Sequence, residues 1–134
     1  MRGSSLGSVA ACLGALLLAA CGSSQTFTAS EFVDRISAQG LSIELGRQLT
    51  GGGAAKELYA VRLPPLPGER SRGASGTLYV FGDTGGAEDQ LAACHGSGGL
   101  LCFRAANVVV VLSDESSGLE AQRLALAVKR LART

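Results

Sequence analysis

Apolar and polar positions along this chain follow two periods, one helical and one of strand type. After an uncharged stretch from Leu6 to Ala20, the spacing of Phe32, Val33 and Ile36 is helical. Thr28 and Glu31 form a capping box, and Phe27 and Phe32 can close a hydrophobic staple across it. A helix is therefore predicted over 29–38, with Gly40 as its left-handed stop. Leu41, Ile43 and Leu45 then alternate with Ser42, Glu44 and Gly46, the pattern of a strand with one dry and one wet face. Thr50 to Gly53 is a turn, and Leu58 to Leu63 is a second strand closed by Pro64, Pro65 and Pro67, which cannot donate to a ladder. Gly68 to Gly76, holding Glu69, Arg70 and Arg72, reads as a polar loop and the most mobile part of the domain. Thr77 to Phe81 is a third strand, and Asp83 or Thr84 caps a short helix running through Leu91 to Cys94. Leu100 to Leu112 reads as one long strand whose Val108 to Val111 run, apolar on both faces, belongs inside the sheet. Ser117 to Glu120 resembles a second capping box opening a last helix, with Leu124, Ala127, Val128 and Leu131 on one side. The predicted class is α+β: a mainly antiparallel four-stranded sheet packed by helices, in the order α-β-β-β-α-β-α.

The N-terminal stretch has a different character. Arg2 precedes an uncharged, largely apolar run, which is the layout of a secretory signal. A membrane span needs about 20 consecutive apolar residues, and Gly7, Ser8 and Gly14 thin this one. Its end, Leu18-Ala19-Ala20-Cys21, resembles the lipobox of bacterial lipoproteins. That resemblance implies a diacylglyceryl group on the Cys21 thiolate and cleavage just before it. An ordinary signal peptide cut after an Ala-x-Ala-like site is the alternative, and would free the protein. The expected organisation is a signal peptide over 1–20, a lipidated Cys21 with a short tether over 21–26, and one α+β domain over 27–134. Two acyl chains at about 0.8 kcal/mol per buried methylene anchor stably, whereas one is marginal. The polar residues Gly22 to Thr26 reach at most roughly 17 Å, so the domain is expected near the bilayer. The expected location is extracytoplasmic, anchored to the cell membrane, or to the outer membrane where the source has two, because Gly22 is not the Asp that holds lipoproteins at the inner one. The expected partners are the membrane, through the lipid, and an envelope or cell-wall protein.

Charge and cysteine usage narrow the function. Removing residues 1–20 from a chain of 134 leaves 114, room for a single core. The whole chain has 12 basic and 11 acidic side chains, and the leader carries Arg2, so the mature part is close to neutral. A nucleic-acid partner is not expected, since phosphate neutralisation calls for a basic stripe. Of four cysteines, Cys12 leaves with the leader and Cys21 takes the lipid. Cys94 and Cys102 remain, an even pair separated by a flexible segment, His95 to Gly99 among it, and a structural disulfide is expected between them. A zinc site on Cys94, His95 and Cys102 would lack a fourth ligand, and a redox pair normally takes Cys-x-x-Cys spacing.

No reaction is legible. Gly51-Gly52-Gly53 is not followed by the Lys-Ser/Thr of a phosphate loop, and Gly96 to Gly99 precedes a strand rather than a helix. Ser97 beside His95 suggests a hydrolase, but the Gly-x-Ser-x-Gly elbow is absent. No cofactor or metal is expected, and the chain reads as a non-catalytic binding domain, with the small hydrolase as the alternative. Candidate contact surfaces are a sheet face lined by Ser42 and Glu44 and the 68–76 loop. Arg104 and Asn107 stand out as polar residues within the most apolar strand, and are read as its less covered part or as ligand contacts. Arg123, Lys129, Arg130 and Arg133 give the last helix a basic end, which favours the helix dipole and could also meet anionic lipid heads. Leu100 to Val109 is similar to small uncharacterised lipoproteins of actinobacterial type, a resemblance that implies no activity.

Overall fold

The computed structural model describes residues 25–70, 72–113 and 118–132; the leader, Cys21, the start of the tether and Ser117 lie outside the described residues. The elements run α1 (Ala29–Ser37), β1 (Glu44–Gln48), β2 (Glu57–Leu63), β3 (Ala74–Val80), α2 (Thr84–His95), β4 (Leu100–Ala105), β5 (Val108–Ser113) and α3 (Gly118–Leu131). The strands form one antiparallel sheet in the order β1-β2-β3-β5-β4. The class is α+β, as the patterning predicts.

Local chemistry starts α1 where expected. The Glu31 N–H donates to Thr28 Oγ1 at 3.2 Å, and the Thr28 N–H donates back to Glu31 Oε2 at 2.9 Å. Phe27 and Phe32 on either side of this box are both buried. The chain reverses at Gly40, whose φ of 87° a side chain would resist. Asp83 caps α2 by accepting from the Gly86 N–H at 2.9 Å.

Two boundaries differ from the pattern, as does the footing of one loop. Leu41 and Ile43 are buried but precede β1, which begins at Glu44 and bulges between Leu45 and Gln48. Apolar alternation records burial, which a chain crossing the core edge obtains without pairing. The polar loop after β2 stops at Gly73, because Ala74 to Gly76 already pair with β2 and Gly76 with β5. Glu69 within it is tied to α3, so the segment is anchored rather than the free loop expected.

The largest correction concerns the single strand predicted from Leu100 to Leu112. It is a hairpin: β4 and β5 pair antiparallel from Leu100↔Ser113 to Ala105↔Val108, turning at Ala106 and Asn107. The sheet therefore has five strands and the order is α-β-β-β-α-β-β-α. Tight hairpin turns favour glycine where φ is positive, yet Ala106 takes that position with φ 51°. With no glycine or Asn-Gly to mark it, the turn is invisible in the hydrophobic pattern.

Strand alternation divides the core in two. One face of the sheet, carrying Val61, Leu63, Leu78, Val80, Val108, Val110 and Leu112, packs against Phe32 and Ile36 of α1 and Leu124, Val128 and Leu131 of α3. The opposite face carries a smaller cluster of Phe81, Ala87 and Val109 beneath α2. Val108 to Val110 are buried on both sides of the sheet for this reason.

Candidate functional site

The helices cover the two faces of the sheet unequally. α1 and α3 cover the first, whereas on the second α2 packs mainly on β4 and β5 and reaches β3 only at its Tyr79–Phe81 end. On that second face Leu58 and Val109 are buried, and the remaining residues of β2, β3 and β5 include Ala60, Arg62, Ser75, Thr77, Tyr79 and Val111, paired as Ala60↔Thr77, Arg62↔Ser75 and Thr77↔Val111. Each of the latter is exposed or only half-buried. A shallow cleft of about 380 Å³ opens there, lined by Ala60, Ser75, Thr77, Leu100, Val111 and Ser113. Leu100 at its rim is 43 % exposed. Further along β3, Tyr79 and Phe81 stack with centroids 6.3 Å apart and floor a second cleft, of about 300 Å³, between Gly52 to Ala54 and the Gly86, Asp89 and Gln90 face of α2. Ser75, Thr77 and Tyr79 alternate along one strand, so the two clefts follow a single track.

The two clefts of this face are lined largely by hydroxyls and apolar groups, with Asp89 at the edge of the second. Such a lining offers hydrogen bonds and van der Waals contact to an extended chain. At its β1 rim, Glu44 stands opposite Arg62 in register. Glu44, predicted on a wet strand face, thus borders the open face; Ser42 is exposed but precedes the strand.

α2 needs fastening to sit where it does, because only Ala87 and Cys94 of its residues are buried. Cys94 at its last turn and Cys102 on β4 are brought to disulfide distance, with Cα atoms 6.3 Å apart. Arg104, also on β4, adds a looser attachment, with its guanidinium 3.8 Å from Glu88 of α2 and donating to the Ala106 carbonyl at 3.0 Å. A disulfide closing so short a loop contributes about 2.5 kcal/mol by loop-closure entropy. Cys94→Ser is accordingly expected to lower the unfolding free energy by about 2.5 kcal/mol, read as a lower urea midpoint. Hydrogen exchange should accelerate first in α2 and at Val109, while α1 and α3 keep their protection.

Asn107 is buried, not at an uncovered part of the sheet. Its Oδ1 accepts from the Phe27 N–H at 2.6 Å, and its Nδ2 donates to the carbonyls of Phe27 at 2.9 Å and Phe81 at 2.8 Å. The side-chain amide acts as a peptide group would, binding the chain entering α1 to the end of β3. A cleft of about 400 Å³ adjoins it, bordered by Thr28, Glu31, Lys56 and Glu57. Asn107 and Glu31 are engaged in structural hydrogen bonds there.

Glu69 and Arg123 form a pair that the pattern of the chain does not announce. Arg123 Nη1 lies 3.1 Å from Glu69 Oε2, and Nη2 contacts Oε1 in a second, parallel bond. Glu69 also accepts weakly from the Leu66 N–H at 3.4 Å. Hydrogen bonding to Arg123 holds the Glu69 carboxyl below its ordinary value of 4.5, against partial burial, which pushes it up. A depressed carboxylate stabilises the fold fully above that ordinary value and loses the effect as pH falls through its folded value. Wild-type stability is therefore expected to decline more steeply than that of Arg123→Gln below about pH 4.5 in chemical denaturation at stepped pH, and salt should shrink the difference.

Ser97 and His95 sit at the exposed end of α2, where the Ser97 hydroxyl donates to the Ala93 carbonyl at 3.2 Å. Neither borders the clefts at Thr77, Tyr79 and Asn107, or the depression beside Leu126. Among the described residues, no three His, Cys, Asp or Glu side chains converge as a metal site, and no helix is long and apolar enough to cross a membrane.

The molecule is thus an α+β domain with one face closed by two helices and the other left open beside a third. Compared with protein-family models, curated proteins and solved structures, the chain matches none of them.

Proposed function

We propose that this chain is an exported lipoprotein, held to the membrane through Cys21, whose domain is a non-catalytic contact module for a protein of the cell envelope. The observation that carries the second half is the open sheet face. Ser75 and Thr77 line a cleft with Val111, whose other neighbours are the small cluster under α2, and the clefts run along β3 beside a helix anchored at Cys94, Cys102 and Arg104. The first half rests on Leu18-Ala19-Ala20-Cys21 and on the cysteine pair, which suits an oxidising exterior.

Two measurements test the reading separately. Intact mass of membrane-extracted protein should show loss of residues 1–20, a gain of acyl mass, and no alkylation of Cys94 or Cys102 until reductant is added. Pull-down of the tagged, lipidated protein should recover a reproducible envelope protein, lost in Ser75→Arg and Thr77→Arg variants whose circular dichroism is unchanged. Recovery of no such protein, or equal recovery by both variants, removes the contact-module reading.

A further inference from the structure

The outer face of α3 carries two of the exposed large hydrophobic side chains of the described residues. Burial of Leu124, Ala127, Val128 and Leu131 fixes which side faces the core. The opposite side presents Leu119, 44 % exposed, and Leu126, 56 % exposed, two turns apart on one line, followed by exposed Lys129 and Arg130 one turn further on. The acid of the helix itself, Glu120, is buried, and Arg123, between the two leucines, is paired with the carboxylate of Glu69, which leaves Lys129 and Arg130 as the exposed cations of this side. At its edge, Leu126 and Arg130 border a depression of about 220 Å³ together with Leu41 and Leu66. Exposed leucines aligned with basic residues on one helix face are the pattern of a helix lying on a bilayer surface.

The position of the tether agrees. The chain enters the domain at Phe27, in the same core cluster as α1 and α3, so any anchor upstream pulls on the helical layer and not on the open sheet face. Within that layer, α1 exposes Glu31 and Asp34 beside Arg35, whereas α3 exposes Lys129 and Arg130. Charge therefore selects α3 as the side that meets anionic headgroups.

We infer that α3 is a second membrane contact, its Leu119–Leu126 stripe resting on the anionic phospholipid surface and its Lys129 and Arg130 among the phosphates. The inference rests on the lipid-tether reading, because one exposed helix face is too weak a contact to hold the protein alone. It also assigns an orientation: the helical layer faces the bilayer and the open sheet face points into the envelope, available to a partner.

The chain contains no tryptophan, so Leu126→Trp gives the lipidated protein a single reporter, with Leu119→Trp as the second should the first misfold. On phosphatidylcholine vesicles containing phosphatidylglycerol, its emission should shift to the blue and be quenched by brominated lipid. Lys129→Ala and Arg130→Ala should each weaken this docking about fivefold. A Thr77→Trp reporter on the open sheet face should stay solvent-like. Protein that carries acyl mass and floats with the vesicles, yet leaves the α3 reporter unquenched or quenched no more than the Thr77→Trp reporter, overturns the inference alone. Protein without acyl mass overturns the tether reading instead.

Discussion

Asn107→Ala is expected to lower the unfolding free energy by about 3–5 kcal/mol, the largest loss from any single side-chain truncation proposed for this domain. The side chain satisfies three buried backbone groups: the N–H and carbonyl of Phe27 and the carbonyl of Phe81. Leaving a buried donor or acceptor unsatisfied costs about 1–3 kcal/mol each, partly recovered where water enters. The backbone carbonyl of Asn107 also accepts from the Phe81 N–H at 2.9 Å, so Phe81 is held by both the main chain and the side chain of one residue. A domain of this size has about 5–15 kcal/mol in all, so the variant should unfold at markedly lower urea. Asn107→Asp separates hydrogen bonding from volume. A carboxylate keeps the acceptor for Phe27 but turns an acceptor toward two carbonyls, and the loss at neutral pH should equal or exceed that of alanine. If Asn107→Asp matched the wild type, the assigned role of the amide donor would be wrong.

Gly76→Ala should destabilise by about 3 kcal/mol or more, through close approach and not through backbone freedom. Gly76 lies on β3, the central strand, opposite Leu112 of β5. A Cβ built there overlaps the carbonyl of Val111 and comes within 3.0 Å of the Leu112 Cα, backbone that cannot swing aside as a side chain would. The strands must part, and overpacking of this kind typically costs 1–3 kcal/mol, roughly the upper end or beyond when main chain is the obstacle. Gly98→Ala is the control, because a Cβ there meets nothing within 4 Å; its effect should stay within about 0.5 kcal/mol. Thermal unfolding of the two variants side by side decides the matter, and equal melting temperatures would remove the close-approach argument.

The same residues show how far the sequence could be read. Gly76 ended the predicted loop because glycine is depleted from strands, and nothing in Ser75-Gly76-Thr77 signals that a neighbouring carbonyl needs the missing Cβ. Asn107 stood out as a polar residue among valines, which located an important position while leaving its role open. Its partners are 80 and 26 positions away, and such contacts leave no local periodicity. Glu69 and Arg123, 54 positions apart, were equally silent for that reason. Both lie in segments whose polarity has an ordinary solvent explanation.

The chain by itself determined the elements whose signals are local: the Thr28–Glu31 box opening α1, the apolar side of α3, the buried valines and the pairing candidates Cys94 and Cys102. It also carries the lipobox-like run Leu18 to Cys21 on which the proposed membrane anchor rests, written in consecutive residues. Tertiary structure alone decided that Leu100 to Leu112 folds back on itself, that α2 covers only part of the second face, and that Ser75, Thr77 and Val111 line an open cleft. The physical reason is common to all three. A burial pattern states how much of each residue meets apolar surroundings, whereas which partner provides that burial, and which face is left without one, depends on residues far apart in the chain.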